Sequence, residues 1–167
     1  AALAAKEKGH SVTLYESSST LGGQLYLAAA PPGRAEFAEL AKDLATQLYA
    51  NDITVKLNTS VSEATIDAEK PDYVILATGA RPLTPPIPGR DKEHVVQAWD
   101  VLLGKVHTGR NVVIIGGGAV GVETSIFLAE KGTLPADAVK FLLVNKAESA
   151  EAIYEMAIKG TKNVTLT

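Results

Sequence analysis

Apolar and polar positions change period several times along the chain. Residues 1–8 read as the end of a helix, and Gly9 suits the position just past its C-terminus. SVTLYE at 11–16 alternates and is rich in β-formers, which predicts a strand; residues 17–23 read as loop. After Gly33, the residues Phe37, Leu40, Ala41, Leu44 and Leu48 recur at helical spacing. A short strand is expected at 53–57, a turn at 58–60, and Val61 beyond it. DYVILA at 72–77 is an apolar run of the kind shown by a strand buried on both faces.

The stretch 81–89, RPLTPPIPG, holds four of the eight prolines, which excludes a helix or sheet interior and reads as a crossover between two units. Beyond it come a short helix at 98–103, a second fully apolar strand at 111–115, a glycine turn at 116–121 and a helix at 122–131. From Thr133 two readings compete. One makes 139–144 a strand ending at Asn145. The other places two helices there, with Pro135 as a start, Ser149 as a cap and Gly160 as a stop. A last strand is expected at 164–167. Strands alternating with helices, several of them wholly apolar, predict parallel α/β layers.

Composition narrows the classes. Of 167 residues, 46% are hydrophobic and 21% charged, an ordinary globular balance with enough apolar material for a core. A net charge of -3 offers no footprint for a phosphate backbone, so nucleic acid is not an expected partner. The absence of cysteine removes disulfides, thiolate metal sites, cysteine-held clusters and a redox dithiol, and fits a reducing compartment; the expected location is cytoplasmic. No apolar run approaches the ~20 residues that span a bilayer. The opening, AALAAKEKGH, lacks an initiator Met and the charge-then-apolar order of a signal peptide, and it starts in mid-pattern. The chain is therefore expected to be a fragment. His10, His94 and His107 have no partners at metal spacing, and no catalytic set of side chains stands out, as befits a protein whose cofactor carries the chemistry.

The most informative motif is VVIIGGGAVGVETSIFLAEKG at 112–132. Gly116, Gly118 and Gly121 fall at G-x-G-x-x-G spacing, after an apolar strand and before a helix. The first glycine permits the tight turn, the second lets a pyrophosphate approach the backbone, and the third lets helix and strand pack closely. The helix start then offers free N–H groups and a positive dipole end to phosphate. The competing reading is a glycine turn without a ligand. Two weaker signals accompany it. Glu16 ends a strand where a dinucleotide fold places its ribose-binding acid, although a surface acid is the plainer reading. Ala77, Thr78, Gly79 and Ala80 follow an apolar run with small residues over which a flat ligand can lie; a plain turn is the alternative.

Together GHSVTLYE, LGGQL at 21–25, AAAPPGRAEFAEL at 28–40, VILATGARP at 74–82 and the 112–132 motif resemble one family over essentially the whole chain. They are similar to the C-terminal region of the old-yellow-enzyme-like NADH:flavin oxidoreductases, which include 2-enoate reductases, 2,4-dienoyl-CoA reductases and trimethylamine dehydrogenase. The resemblance implies a Rossmann-like fold of the two-dinucleotide-binding flavoprotein type, truncated at both ends. It implies a partial FAD unit at 1–88 and a partial NAD(P) unit at 89–167. Hydride would pass from NAD(P)H to FAD, then through an iron–sulfur cluster to FMN in a barrel that lies outside this chain. By position, Glu16 matches the FAD ribose acid, and Gly22, Gly23, Gln24 and Leu25 match a loop near the FAD. Val61 matches a place beside the adenine, and Ala77, Thr78 and Gly79 match the segment crossing the flavin. Gly116, Gly118, Ala119, Val120 and Gly121 match the nicotinamide-cofactor turn. The resemblance also favours two helices before a strand at 164–167, so the helical reading of 134–159 is adopted.

The family's first strand and first glycine turn have no counterpart before Ala1, and the ribose-selecting acid would come where the chain stops. The isolated chain is accordingly expected to carry little or no FAD, to bind NAD(P)H weakly with poor discrimination, and to self-associate through unpaired strand edges. Alternatives are a thioredoxin-reductase-like or NADH-oxidase-like flavoprotein, against which the lack of cysteine speaks, and a non-catalytic dinucleotide-binding module.

Overall fold

A computed structural model describes residues 1–167, whose contacts divide the chain into two units: Ala1–Ala29 with Arg34–Arg81, and Ala30–Gly33 with Pro82–Thr167.

The first unit runs α1 (Ala2–Glu7), β1 (Thr13–Tyr15), α2 (Gln24–Ala28), α3 (Glu36–Ala50), β2 (Thr54–Lys56) and α4 (Glu63–Glu69). Gly9 follows α1 at φ +86°, the left-handed conformation that ends helices. β1 and β2 pair in parallel, with Thr13 opposite Thr54, Leu14 opposite Val55 and Tyr15 opposite Lys56. Parallel strands need a crossover, and α2 with α3 supplies it. The apolar stripe read along α3 buries Ala41 and Leu48, while Leu40 and Leu44 stay partly open; Glu36 and Glu39 occupy its first turn, where carboxylates suit the helix dipole. α4, which periodicity does not announce, rests on a capping box. Ser62 Oγ accepts from the Thr65 N–H at 3.4 Å, and Thr65 Oγ1 accepts from the Ser62 N–H at 3.3 Å.

The strand expected at 72–77 is absent. The segment has no regular structure, and Tyr73 (88%), Ile75 (69%) and Leu76 (81%) are largely exposed. An apolar run becomes a strand only where another strand offers its backbone, and the sheet of this unit contains β1 and β2 alone.

The second unit runs α5 (Ala98–Leu102), β3 (Asn111–Ile114), α6 (Ala119–Ala129), α7 (Ala136–Asn145), α8 (Ala150–Ile158) and β4 (Asn163–Leu166). β3 and β4 pair in parallel, with Val112 opposite Val164 and Ile114 opposite Leu166. Val101 of α5, Ile114 of β3 and Leu128 of α6 form the core, against which Val112, Phe127 and Val164 pack. β3 is apolar from Val112 onward, yet only one face is covered; Val113 and Ile115 on the other are 64% and 65% exposed.

The helical reading of 134–159 holds, and the strand reading of 139–144 does not. Asn145 is not a strand-end residue: its Nδ2 donates to the Phe141 carbonyl one turn back along α7. Pro135 precedes α7, Lys146 in the left-handed region ends it, and Ser149 Oγ caps α8 by accepting from the Ala152 N–H at 3.1 Å. No helix is long and apolar enough to cross a membrane.

Candidate functional site

The glycine turn of the second unit joins β3 to α6. Gly116 sits at φ +113°, a conformation open to glycine, and its N–H donates to the Thr167 carbonyl at 2.9 Å. The Thr167 N–H returns a bond to the Ile114 carbonyl at 2.9 Å, so the turn is stitched to the end of β4. At Gly121 a β-carbon would collide with the Gly116 carbonyl oxygen. That position is closed by the protein itself.

Gly118 is different. It is the N-cap of α6, in extended backbone, and a β-carbon there would meet no protein atom within 4 Å. Its backbone faces open space. The first helical bond of α6 runs from the Val122 N–H to the Gly118 carbonyl, so the N–H groups of Ala119, Val120 and Gly121 precede the helical ladder. Gly118, Ala119 and Val120 are exposed. A bare backbone, three leading N–H groups and the positive end of an eleven-residue helix make a cradle that fits a pyrophosphate.

Periodicity gave no hint of the side chains that brace this turn. Thr124, 2% exposed, donates from Oγ1 to the Val120 carbonyl at 2.6 Å, and Ser125 Oγ donates to the Gly121 carbonyl at 2.8 Å. Both reach back to residues of the motif and fix the carbonyl side of the first turn. Each lies four residues after the motif residue whose carbonyl it bonds, the one mark they leave in the sequence.

In the first unit Glu16 follows the C-terminal end of β1 and Val61 lies beyond that of β2, the side on which α/β sheets take ligands. Glu16 follows β1; its N–H donates to the Lys56 carbonyl at 3.0 Å, and its carbonyl accepts from the Thr59 N–H at 2.9 Å. Glu16 Oε1 accepts from the Ser18 N–H at 2.7 Å and from Ser17 Oγ at 3.2 Å. The Ser18 backbone bond is the main reason its carboxyl titrates below the ordinary carboxylate range; slight burial opposes the shift and the serine hydroxyls assist it. An acid so held stays ionised and half-exposed at the strand end, which fits it to accept hydroxyl protons.

Gly22 and Gly23 lead into α2 at φ +118° and +43°. A β-carbon at Gly22 would lie 2.6 Å from a Tyr26 ring carbon and 2.9 Å from the Ala41 β-carbon, so this glycine seats α2 on α3. Leu25 is half-buried in α2. Ala77, Thr78 and Gly79 are exposed, with Gly79 at φ +75°. The structure joins these two segments through Gln24, whose Nε2 donates to the Ala80 carbonyl at 2.9 Å. Val61, 46% exposed, lies just ahead of α4, two positions after Thr59.

A further polar group stands beside Glu16. Lys56 Nζ donates to Tyr15 Oη at 2.9 Å and pairs with Glu69 at 2.8 Å, while Tyr15 Oη donates to Glu69 at 2.8 Å. The bond to Glu69, then that to Tyr15, raises the Lys56 ammonium above its usual range, and the Lys56 bond lowers Glu69. This trio ties the end of α4 to the strand ends from which Glu16 projects. Its members are 41 and 13 positions apart in pairs, which is why pattern reading along the chain did not connect them.

Residues 1–165 match the family model described as pyridine nucleotide-disulphide oxidoreductase. The chain is 43% identical to a metal reductase of Desulforamulus reducens, covering 95% of this chain and 24% of that protein. It is 48% identical to an NADH oxidase of Thermoanaerobacter brockii, covering 79% of this chain and 21% of that protein. Among solved structures it is similar to a 2-naphthoyl-CoA reductase in complex with 2-naphthoyl-CoA, with a TM-score of 0.74 and 29% identity over 99% of this chain and 25% of the other. The chain thus spans about a quarter or less of the length of these relatives.

Proposed function

This chain belongs to the pyridine nucleotide-disulphide oxidoreductase family, with its FAD/NAD(P)-binding Rossmann-like fold, and on that premise we propose that it forms the electron-input region of a larger flavin-dependent reductase. In this reading residues 1–88 take FAD and residues 89–167 take NAD(P)H. When bound, the two cofactors supply hydride transfer from reduced nicotinamide to flavin. The chain's own residues bind and orient. Gly118, Ala119, Val120 and the α6 N-terminus hold the nicotinamide cofactor's pyrophosphate; Gly116 and Gly121 give the turn its shape. Glu16 accepts from the ribose hydroxyls of FAD, with Val61 beside the adenine. Gly22, Gly23, Gln24 and Leu25 form a loop near the FAD, and Ala77, Thr78 and Gly79 cross the flavin.

The finer identity rests on resemblance. An old-yellow-enzyme-like parent would carry FMN in a barrel and an iron–sulfur cluster between the flavins, and likeness to a metal reductase and a 2-naphthoyl-CoA reductase supports a parent that reduces an acceptor. Likeness to an NADH oxidase favours a second reading, in which oxygen takes the electrons. The full natural chain, reduced by NADH without oxygen and then given oxygen or an α,β-unsaturated acid, separates the two by which one reoxidises the flavin.

The observation that carries the proposal is the open backbone at Gly118. A β-carbon there meets no protein atom within 4 Å, so the side chain of a valine points into the phosphate cradle. In the full natural chain, Gly118→Val is expected to leave the thermal midpoint close to that of the unaltered protein and to abolish NADH and NADPH binding by calorimetry. Undiminished binding by that variant would overturn the assignment of the turn.

A further inference from the structure

Residues 72–80 are exposed, belong to no strand, and include the Ala77–Thr78–Gly79 residues. A single hydrogen bond from elsewhere in the unit reaches them. Gln24, the first residue of α2, donates from Nε2 to the Ala80 carbonyl at 2.9 Å across 56 positions of sequence. The same amide fills the space beside Gly79, where a β-carbon would stand 2.8 Å from Nε2. Gly79 also sits at φ +75°, where any other residue is strained. The base of this bracket is close-packed, because Gly22 leaves room for the Tyr26 ring of α2 and for Ala41 of α3.

We infer that Gln24 is a positioning residue: it fixes where the 77–80 segment lies, and so sets the surface that this segment presents to the flavin. The inference rests on the proposal that the first unit takes FAD. Two consequences follow from the chemistry of the amide. A carbonyl acceptor demands a donor, so a carboxylate at 24 would set oxygen against oxygen, and its protonated form would restore the bond. The tight space at Gly79 is made by the Gln24 side chain, so a methyl group at 79 is excluded partly by Gln24 itself.

The test uses the full natural chain stripped of flavin and titrated with FAD, following affinity and the visible circular dichroism of the bound flavin. Gln24→Ala is expected to weaken FAD about fivefold, the loss of one ordinary hydrogen bond, and to alter the dichroism. Gln24→Glu is expected to weaken it at neutral pH and to recover as the pH is lowered through that carboxyl's titration. Gly79→Ala is expected to cost less in the Gln24→Ala background than alone, because the clash with the amide has gone. Glu16→Gln serves as the reference for the site. If Glu16→Gln weakens FAD while the Gln24 variants change neither affinity, dichroism nor pH response, the positioning role is overturned and the flavin assignment stands. If none of the variants, Glu16→Gln included, alters FAD binding, the assignment of FAD to this unit fails and the inference with it.

Discussion

Gly121 lies against Gly116 so closely that a β-carbon on the first would occupy the place of the carbonyl oxygen of the second, with Leu166 Cδ1 3.5 Å from the same point. The two glycines are one contact: the turn is closed by the pair. Gly121→Ala must push α6 away from the end of β3 or distort the turn, and either change strains a packed contact. The expected loss is about 1–3 kcal/mol of stability, read as a lowered midpoint in thermal unfolding. Gly118→Ala, whose added carbon meets nothing, is expected to leave the midpoint within the scatter of exposed substitutions.

Glu16 supplies a pH dependence. Its carboxyl is lowered chiefly by the Ser18 N–H, so the folded protein holds the proton less tightly than the unfolded chain does. Such a group contributes stability that is present above the unfolded carboxyl's pKa and is lost as the pH falls through the lower, folded value. The contribution is small, because Glu16 is half-exposed. Glu16→Gln is expected to lower the neutral plateau slightly and to leave the acid end unchanged, so that the acid limb flattens, measured by urea midpoints from neutral to acid pH. Nuclear magnetic resonance titration of the Glu16 side chain should place its midpoint below that of a free glutamate.

Ser149 offers a local test. Its hydroxyl caps α8 through the Ala152 N–H at 3.1 Å. Ser149→Ala is expected to lower stability by about 1 kcal/mol. Hydrogen exchange should quicken at the start of α8, while the amides of β3 and β4 keep their protection.

What the sequence showed depended on whether the cause was local. The period of α3, the proline before α7, the serine cap of α8 and the glycine turn are all set within a few residues, and each was readable. At 72–77 the expected strand does not form, because an apolar run shows only a wish to be buried and no strand of this chain lies alongside it. α4 was missed because its capping box pairs Ser62 with Thr65, where the familiar pattern has a glutamate or glutamine. In the site, the residues of the glycine turn were legible from spacing. The bond from Gln24 to Ala80 and the Tyr15–Lys56–Glu69 trio were not, because both span folds of the chain.

The exposed apolar faces bear on solution behaviour. Tyr73, Ile75 and Leu76 in one unit, and Val113 and Ile115 in the other, leave more apolar surface open than single scattered side chains would. The 167-residue chain by itself is expected to associate with itself, and light scattering across a dilution series should show a mass above 17.5 kDa that falls on dilution. A constant mass of one chain at all concentrations would refute this.

The helices α7 and α8 leave and rejoin the second unit at one place. The Thr161 N–H donates to the Lys131 carbonyl at 2.7 Å, and the Leu134 N–H donates to the Met156 carbonyl at 2.9 Å. Gly160 lies so near Ala129 that a β-carbon would collide with its carbonyl oxygen. This clasp, of which Met156 of α8 is a part, delivers the chain to β4 in register with β3. The loop between α7 and α8 lies outside the clasp and is expected to accept added length with little effect on the sheet, since doubling a loop costs only about 0.6 kcal/mol in closure entropy. A reporter domain spliced between α7 and α8 is accordingly expected to leave the glycine turn its shape.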